Sequence, residues 1–221
     1  MLKTFCCTLS FLSFCLLYAQ NHTRFTATYS TKEIDTSNIQ KISIGNLYLD
    51  NTSKTLRFNQ KFPDTRSYVL RDSILIVQKK DTSFKVPSPK GLLEYNIYNI
   101  ILSGNLHDFG ISKYGYKLKS LEEQEGLVIM HYETPISAKG KQKHTVELVK
   151  KAGKLDAFLV YDAKKILVSQ TFFKEYIVQS GLQIPQKIVQ IAHFGKKQNK
   201  KITTLSKILI DEKTNSNLYN P

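Results

Sequence analysis

Five histidines, His22, His107, His131, His144 and His193, are the side chains in this sequence most suited to moving a proton near neutral pH or to holding a metal. They are dispersed, with no His-x-x-x-His or His-x-His spacing, so a metal centre would need distant strands to converge, and no metal is expected. His107-Asp108 could orient an imidazole, but adjacent residues on an extended chain point opposite ways, and no Gly-x-Ser-x-Gly nucleophile turn accompanies them. Glu122, Glu123 and Glu125, ahead of Gly126, form the one acidic cluster. Paired carboxylates can hydrolyse glycosides, yet three within a four-residue turn between strands read as a solvated hairpin tip. No phosphate-cradling glycine loop or dinucleotide fingerprint occurs. The expectation is therefore a protein that is not an enzyme and carries no cofactor.

The N-terminus bounds the compartment. Met1, Leu2 and the lone charge Lys3 precede an uncharged run from Thr4 to Ala19 that includes Phe5, Leu9, Phe11, Leu12, Phe14, Leu16 and Leu17. The apolar part, about 15 residues, is shorter than the roughly 20 that span a hydrocarbon core, and it ends at the small residue Ala19. Residues 1–19 are read as a cleaved signal peptide, with the product exported to the periplasm. Cys6, Cys7 and Cys15 all lie inside this leader, so the mature chain would contain no thiol nucleophile, no thiolate-bound zinc and no disulfide.

What remains, residues 20–221, is the size of one medium domain. The formal charge of +14, or +13 without Lys3, would suggest nucleic acid inside a cell, but an exported protein with no arginine-rich helix has little use for one. Lysines concentrate late, at Lys139, Lys141, Lys143, Lys150, Lys151 and Lys154, then at Lys196, Lys197, Lys200, Lys201 and Lys207. They are either solvated turns or a steering surface for anionic lipid or an acidic partner.

From Arg24 onward the hydrophobic period is two. Leu56, Phe58, Gln60 and Phe62 alternate with Arg57, Asn59 and Lys61, as a strand with one wet face requires. Leu127 to Tyr132, Leu155 to Tyr161, Ile166 to Phe173 and Ile184 to Phe194 carry apolar residues on both sides, so the sheet must cover both faces with helices, its own curvature or a ligand. Turn signals at short intervals divide the chain into ten or so strands of one meander, which tends to curl into a barrel or half-barrel. One segment breaks the pattern. After Pro87-Ser88-Pro89, the spacing of Leu93, Ile97, Ile100 and Ile101, closed by Gly104, predicts a short helix. The polar last ten residues, 212–221, are expected to fray.

The ordered features resemble the outer-membrane lipoprotein carrier (LolA) superfamily of periplasmic proteins. The resemblance runs through Phe25-Thr26-Ala27-Thr28-Tyr29, Gly45-Asn46-Leu47-Tyr48-Leu49, Leu56-Arg57-Phe58 with Pro63 beyond, and Tyr68 to Ile76 with its Arg71-Asp72-Ser73 turn. It continues through the helix ending at Leu102-Ser103-Gly104, Leu155-Asp156-Ala157-Phe158 and Gly181-Leu182-Gln183-Ile184-Pro185. It implies a mainly β (α+β) fold over residues 20–211: a strongly curved antiparallel sheet forming an unclosed half-barrel, with one or more helices on the concave side. Two family features are missing. Only Gln20 to Arg24 separate the leader from Phe25, leaving no room for the family's leading amphipathic helix, and Asp50-Asn51-Thr52 stands where the family has a latch arginine.

The implied function is a periplasmic carrier, a monomer that binds the acyl chains of lipoproteins or a related lipid and shuttles them toward the outer membrane. It would take cargo from an inner-membrane transporter, deliver it to an outer-membrane acceptor, and touch anionic membrane surfaces transiently. Candidate cavity residues are Leu47, Leu49, Phe58, Tyr68, Leu70, Ile74 and Ile76 from the sheet, and Leu92, Leu93, Ile97 and Ile101 from the helix; ordinary core packing is the alternative for each. A second reading is a non-transporting binding module of the same fold, holding a protein partner in envelope assembly or stress sensing.

Overall fold

Alternation at period two becomes a single sheet of thirteen antiparallel strands in the computed structural model, which describes residues 22–89, 92–93, 96–134, 145–213 and 218–219. The leader expected over residues 1–19 lies outside the described residues. The strands are β1 (Arg24–Ile34), β2 (Gln40–Asp50), β3 (Thr55–Phe62), β4 (Arg66–Arg71), β5 (Ile74–Lys79) and β6 (Thr82–Pro87), then β7 (Lys117–Gln124), β8 (Leu127–Glu133), β9 (Thr145–Lys151), β10 (Lys154–Tyr161), β11 (Leu167–Gln179), β12 (Leu182–Phe194) and β13 (Lys197–Ile210).

The order across the sheet is β6-β5-β4-β3-β2-β1-β13-β12-β11-β10-β9-β8-β7. The chain therefore runs as two meanders rather than the single one expected. β1 to β6 walk outward to one edge, the helical segment crosses to the other edge, and β7 to β13 walk back until β13 pairs with β1. The crossing explains the break, because a strand following the helix has no neighbour to continue from and must start a new edge.

The edges β6 and β7 do not pair, so the sheet is not closed, but it is strongly curled. Tyr68 on β4 and Phe158 on β10 border one cavity. Seven strand spacings separate these strands, which in a flat sheet would place them roughly 34 Å apart. Register shifts within β1, between β2 and β3 and between β9 and β10, and left-handed residues inside strands at Glu175 and Lys207, supply the bends. At one bulge Gly45 is pressed against β3: a Cβ there would lie 2.2 Å from the Asn59 carbonyl oxygen.

The helix is shorter than its apolar spacing predicts. α1 spans Ile97–Leu102, because the Asn96 side chain accepts from the Tyr98 N–H at 3.0 Å and caps the helix there, leaving Leu92 and Leu93 in a preceding turn. Two short 3-10 turns, Asn105–His107 and Ile111–Tyr114, follow. Tyr98, Ile100, Ile101 and Leu102 are buried against the inner face of the sheet, with Tyr98 stacked 5.9 Å from Phe25 and Phe109 4.3 Å from Phe158. This segment plugs one end of the half-barrel.

The two termini meet on β1 and β13. His22 sets its Nδ1 2.6 Å from the Asp211 carboxylate and its Nε2 3.0 Å from the Ser180 carbonyl, while the Thr23 and Arg24 N–H groups donate to the same carboxylate. The tail does not fray throughout. Tyr219 is fully buried on the outer face, edge-on to Tyr48 and beneath the Arg24 guanidinium, and the Arg57 guanidinium donates to the Leu218 carbonyl. A large apolar ring meeting a cation and a tyrosine outweighs the chain entropy of a polar tail.

Two outcomes are expected. Gly45→Ala should lower unfolding stability by about 1–3 kcal/mol in denaturant titration, because the added methyl collides with backbone rather than with a movable side chain. Partial burial disfavours the charged form of Asp211, but hydrogen bonds from His22, Thr23 and Arg24 outweigh it and hold its pKa below the ordinary carboxylate value. The stability it contributes is full above that ordinary value and is lost as pH falls through the lowered one. Asp211→Asn should therefore flatten the acid side of a plot of thermal midpoint against pH.

Candidate functional site

Along the inner face, side chains change from apolar to polar in the same direction on seven strands. β1 presents Phe25, Ala27, Tyr29, Thr31 and Glu33, and its partner β2 presents Leu49, Leu47, Gly45, Ser43 and Lys41. β3 follows with Leu56, Phe58 and Gln60, and β4 with Leu70, Tyr68 and Arg66. On the other side β13 presents Leu205, Thr203 and Lys201, β12 presents Ile188 and Gln190, and β11 presents Phe173, Thr171 and Ser169. Neighbouring strands run oppositely, so the gradient reverses in the sequence from one strand to the next but points to one end of the half-barrel in space.

The apolar end is filled by α1 and the sheet's own side chains. Above this core lies a cavity of about 1220 Å³. Its floor is apolar and aromatic, formed by Tyr29, Phe58, Ile97, Tyr98, Phe109, Phe158 and Ile188. Its upper wall carries Thr31, Gln60, Ser169, Thr171, Gln190 and Thr203, and its mouth carries Glu33, Lys41, Asp64, Arg66 and Lys201. Burial, and the neighbouring Tyr68, push the Tyr29 phenol up to about 12, and burial raises Tyr98 as well, so the floor stays uncharged at physiological pH. At the mouth the Lys201 ammonium pairs with Glu33 at 3.2 Å and Arg66 with Asp64 at 2.6 Å. A smaller hollow of about 450 Å³ adjoins, sharing Glu33, Lys41, Ser169, Thr171, Gln190 and Lys201 with the main cavity.

The eleven residues singled out from the sequence divide three ways. Phe58, Tyr68, Leu92 and Ile97 line the cavity. Leu47, Leu49, Leu70, Leu93 and Ile101 belong to the buried core beneath it. Ile74 and Ile76 require correction. They pair with Arg71 and Val69, on the outer face, whereas Leu75 and Val77 pair with Leu70 and Tyr68 on the inner one. Both halves of β5 are apolar, so alternation could not say which half faced inward, and the register across β4 decides it. Sequence reasoning also missed Tyr29, Thr31, Thr171, Gln190 and Thr203. The polar shift along successive inward positions was the available signal, but it becomes visible only once the strands' directions are known.

The chemistry-bearing residues do not gather in the cavity. His131 sits on the outer face between Glu147, 3.2 Å away, and Glu122, 3.4 Å away, and the Tyr161 hydroxyl donates to Glu147 at 2.8 Å. Glu122 and Glu123 lie within β7 rather than in the turn, and their paired partners Ile129 and Val128 place them on opposite faces. His193 bonds Gln170 at 3.1 Å and His107 approaches the Gly104 carbonyl at 3.3 Å. His144 lies outside the described residues. Among the described residues no group of three His, Cys, Asp or Glu side chains is placed to hold a metal.

An open sheet curled around one helix, with a cavity on its concave side, has close counterparts among solved structures. A LolA superfamily protein of Nitrosomonas europaea superposes with a TM-score of 0.59 at 9% identity, covering 90% of this chain and 91% of that one. The fold is that of the LolA superfamily. A protein domain of Vibrio parahaemolyticus assigned to outer membrane lipoprotein sorting gives a TM-score of 0.58 at 12% identity, covering 90% of this chain and 89% of that one. A DUF1329 family protein of Desulfovibrio piger gives 0.60 at 11% identity, covering 95% of each. No family model and no curated protein matches the sequence. The LolA-type fold is thus evident in three dimensions at identities of 9–12%.

The upper wall of this LolA-type cavity offers a test of its packing. Thr31 and Thr203 are both buried and their hydroxyls meet at 3.3 Å. Thr203→Val should cost about 1 kcal/mol or more by leaving the Thr31 hydroxyl without its partner, whereas the double Thr31→Val/Thr203→Val variant should cost less than the two single changes together, as measured by urea unfolding.

Proposed function

We propose that the chain is a periplasmic carrier whose cavity takes the acyl chains of a lipoprotein or related lipid and keeps them out of water on the way toward the outer membrane. The reading rests on one observation above others: the half-barrel keeps an aromatic and aliphatic floor that its own helix does not fill. At about 1220 Å³ the space exceeds the roughly 300–1,000 Å³ typical of small-ligand pockets. A hydrocarbon tail of about sixteen carbons gains on the order of 10 kcal/mol on leaving water, which offsets the cost of ordering a flexible chain. Tyr29, Phe58, Ile97, Phe109, Phe158 and Ile188 would grip the tail, with Tyr68 beside Phe58 and Leu92 also lining the space. The hydroxyl and amide wall above would meet the polar linkage to which the tail is joined. The export leader expected over residues 1–19 and the likeness to a lipoprotein-sorting domain support the periplasmic setting. Catalysis has no part in this reading.

The second reading, a non-transporting module that holds a protein partner, is favoured by the edges. Every residue of β6 and of β7 is exposed, and each strand leaves one side open to pairing with a strand of another chain.

Denaturing extraction of the purified protein followed by mass spectrometry should release co-purified acyl lipid, and the stripped protein should take up a fluorescent fatty acid. Thr171→Trp, which fills the cavity from its wall, should weaken that uptake about tenfold or more while leaving the thermal midpoint within a few degrees of the parent. A protein that yields no lipid and takes up no fatty acid would overturn the carrier reading in favour of the second.

A further inference from the structure

Two loops at the cavity end are built alike from unrelated stretches of sequence. Asp35-Thr36-Ser37-Asn38-Ile39 joins β1 to β2, and Asp162-Ala163-Lys164-Lys165-Ile166 leads from β10 to β11. In the first, the Asp35 carboxylate accepts from the N–H groups of Ser37 and Ile39 at 2.8 and 3.0 Å, and the Asp35 N–H donates to the Ile39 carbonyl at 3.1 Å. In the second, the Asp162 carboxylate accepts from Lys164 and Ile166 at 2.8 and 2.9 Å, and the Asp162 N–H donates to the Ile166 carbonyl at 2.9 Å. The fourth residue of each is left-handed, Asn38 at φ 61° and Lys165 at φ 60°. Both loops end by turning an isoleucine to solvent, Ile39 at 57% exposure and Ile166 at 58%.

A loop fixed by this many bonds does not collapse to hide its isoleucine. Among the described residues no contact requires either side chain to stand outside, and holding a large aliphatic group in water is unfavourable. The same end carries two further exposed apolar groups, Phe62 where β3 ends and Phe194 where β12 ends. Exposed lysines stand among them: Lys61, Lys164, Lys165, Lys196 and Lys197, none paired with a carboxylate among the described residues. The acids of the two loops are turned onto their own backbone. At the opposite end the described turns read Asn51-Thr52-Ser53-Lys54, Asp72-Ser73, Glu125-Gly126, Ala152-Gly153 and Ser180-Gly181, with no large apolar residue, and the exposed apolar groups there, among them Val178 and Leu209, lie within strands.

The cavity mouth opens on the first of these two ends: Gln40 and Lys41 directly follow one loop, Pro63 and Asp64 follow Phe62, and all four line the cavity. We propose that this rim docks on an anionic lipid bilayer, with Ile39, Ile166, Phe62 and Phe194 entering the boundary between headgroups and acyl chains while the lysines meet lipid phosphates. Aliphatic and aromatic side chains flanked by unpaired ammonium groups match the two layers of such a surface, apolar beneath anionic. An acidic protein surface would answer the lysines but has no reason to select four rigidly displayed apolar groups. Docking in this orientation sets the cavity mouth against the membrane. The inference gives the membrane contact expected of a carrier a named surface, and it stands or falls apart from cargo binding, since a protein can bind a bilayer whether or not it transports an acyl chain.

The test uses the mature chain and vesicles of phosphatidylcholine with or without phosphatidylglycerol, read by co-sedimentation. Binding should be at least about tenfold tighter to the anionic vesicles and should weaken as salt is raised. Ile39→Ser/Ile166→Ser should weaken anionic-vesicle binding about tenfold or more, and Lys164→Gln/Lys165→Gln/Lys196→Gln/Lys197→Gln by about six-hundredfold, at roughly fivefold per lysine. Lys150→Gln/Lys151→Gln, at the opposite end, should leave it unchanged. The chain has no tryptophan, so Ile39→Trp installs a single reporter whose emission should shift to the blue on anionic vesicles. Fatty-acid uptake in free solution, measured in parallel on the isoleucine variant, should be unaltered, which separates this inference from the carrier reading. Equal binding to neutral and anionic vesicles would overturn it. So would full retention of vesicle binding by the isoleucine variant, which would leave a purely electrostatic contact of the kind an acidic protein makes.

Discussion

A sheet that curls without closing creates an inner face that it cannot cover by itself, and the whole molecule is organised around how that face is satisfied. At one end the answer is packing: α1 and its 3-10 turns bring Tyr98, Ile101, Leu102 and Phe109 against Phe25, Leu47, Leu49, Phe158 and Phe173. At the other end no helix arrives among the described residues, and the inward side chains become hydroxyls, amides and charges that water can meet. The cavity is the zone between, where the wall is still apolar and the plug has ended.

The curl in turn depends on the pairing of the first and last strands. β1 and β13 lie at the middle of the sheet, so the two meanders are separate wings joined by one ladder and by the His22–Asp211 clasp at its end. Contacts of high sequence separation therefore hold the concavity open, and neither wing alone would enclose it. The tail adds to this on the outer face, where Tyr219 covers Tyr48 and brings Arg24 and Arg57 into one cluster.

The distribution of charge follows the same axis. Four acidic side chains near the cavity end serve the protein's own structure: Asp35 and Asp162 close loops, Asp64 holds Arg66, and Glu33 meets Lys201. The lysines at the loop tips have no such duty and face solvent. A net positive charge that looks diffuse along the chain is thus set, in part, as an unpaired fringe beside exposed isoleucine and phenylalanine.

The amino-acid sequence by itself determined that the chain is a strand-rich domain with one helical interruption and an apolar excess that a flat one-sided sheet could not hide, because period-two alternation and turn residues are local properties. It also contained the resemblance to the LolA superfamily, which the superpositions bear out as fold. Local pattern could not decide which of two apolar halves faces inward. Ile74 and Ile76 looked as suited to the cavity as Leu75 and Val77, and the pairing of β5 on β4 separates them. Nor could it show that Leu47 and Leu49 are sealed in the core while Phe58 reaches the cavity, since that depends on where α1 ends, or that Glu122 leaves its acidic neighbours to meet His131. The graded inner face and the twin isoleucine loops were written in the sequence all along. Only the antiparallel order of strands far apart in the chain turns those scattered residues toward a single end.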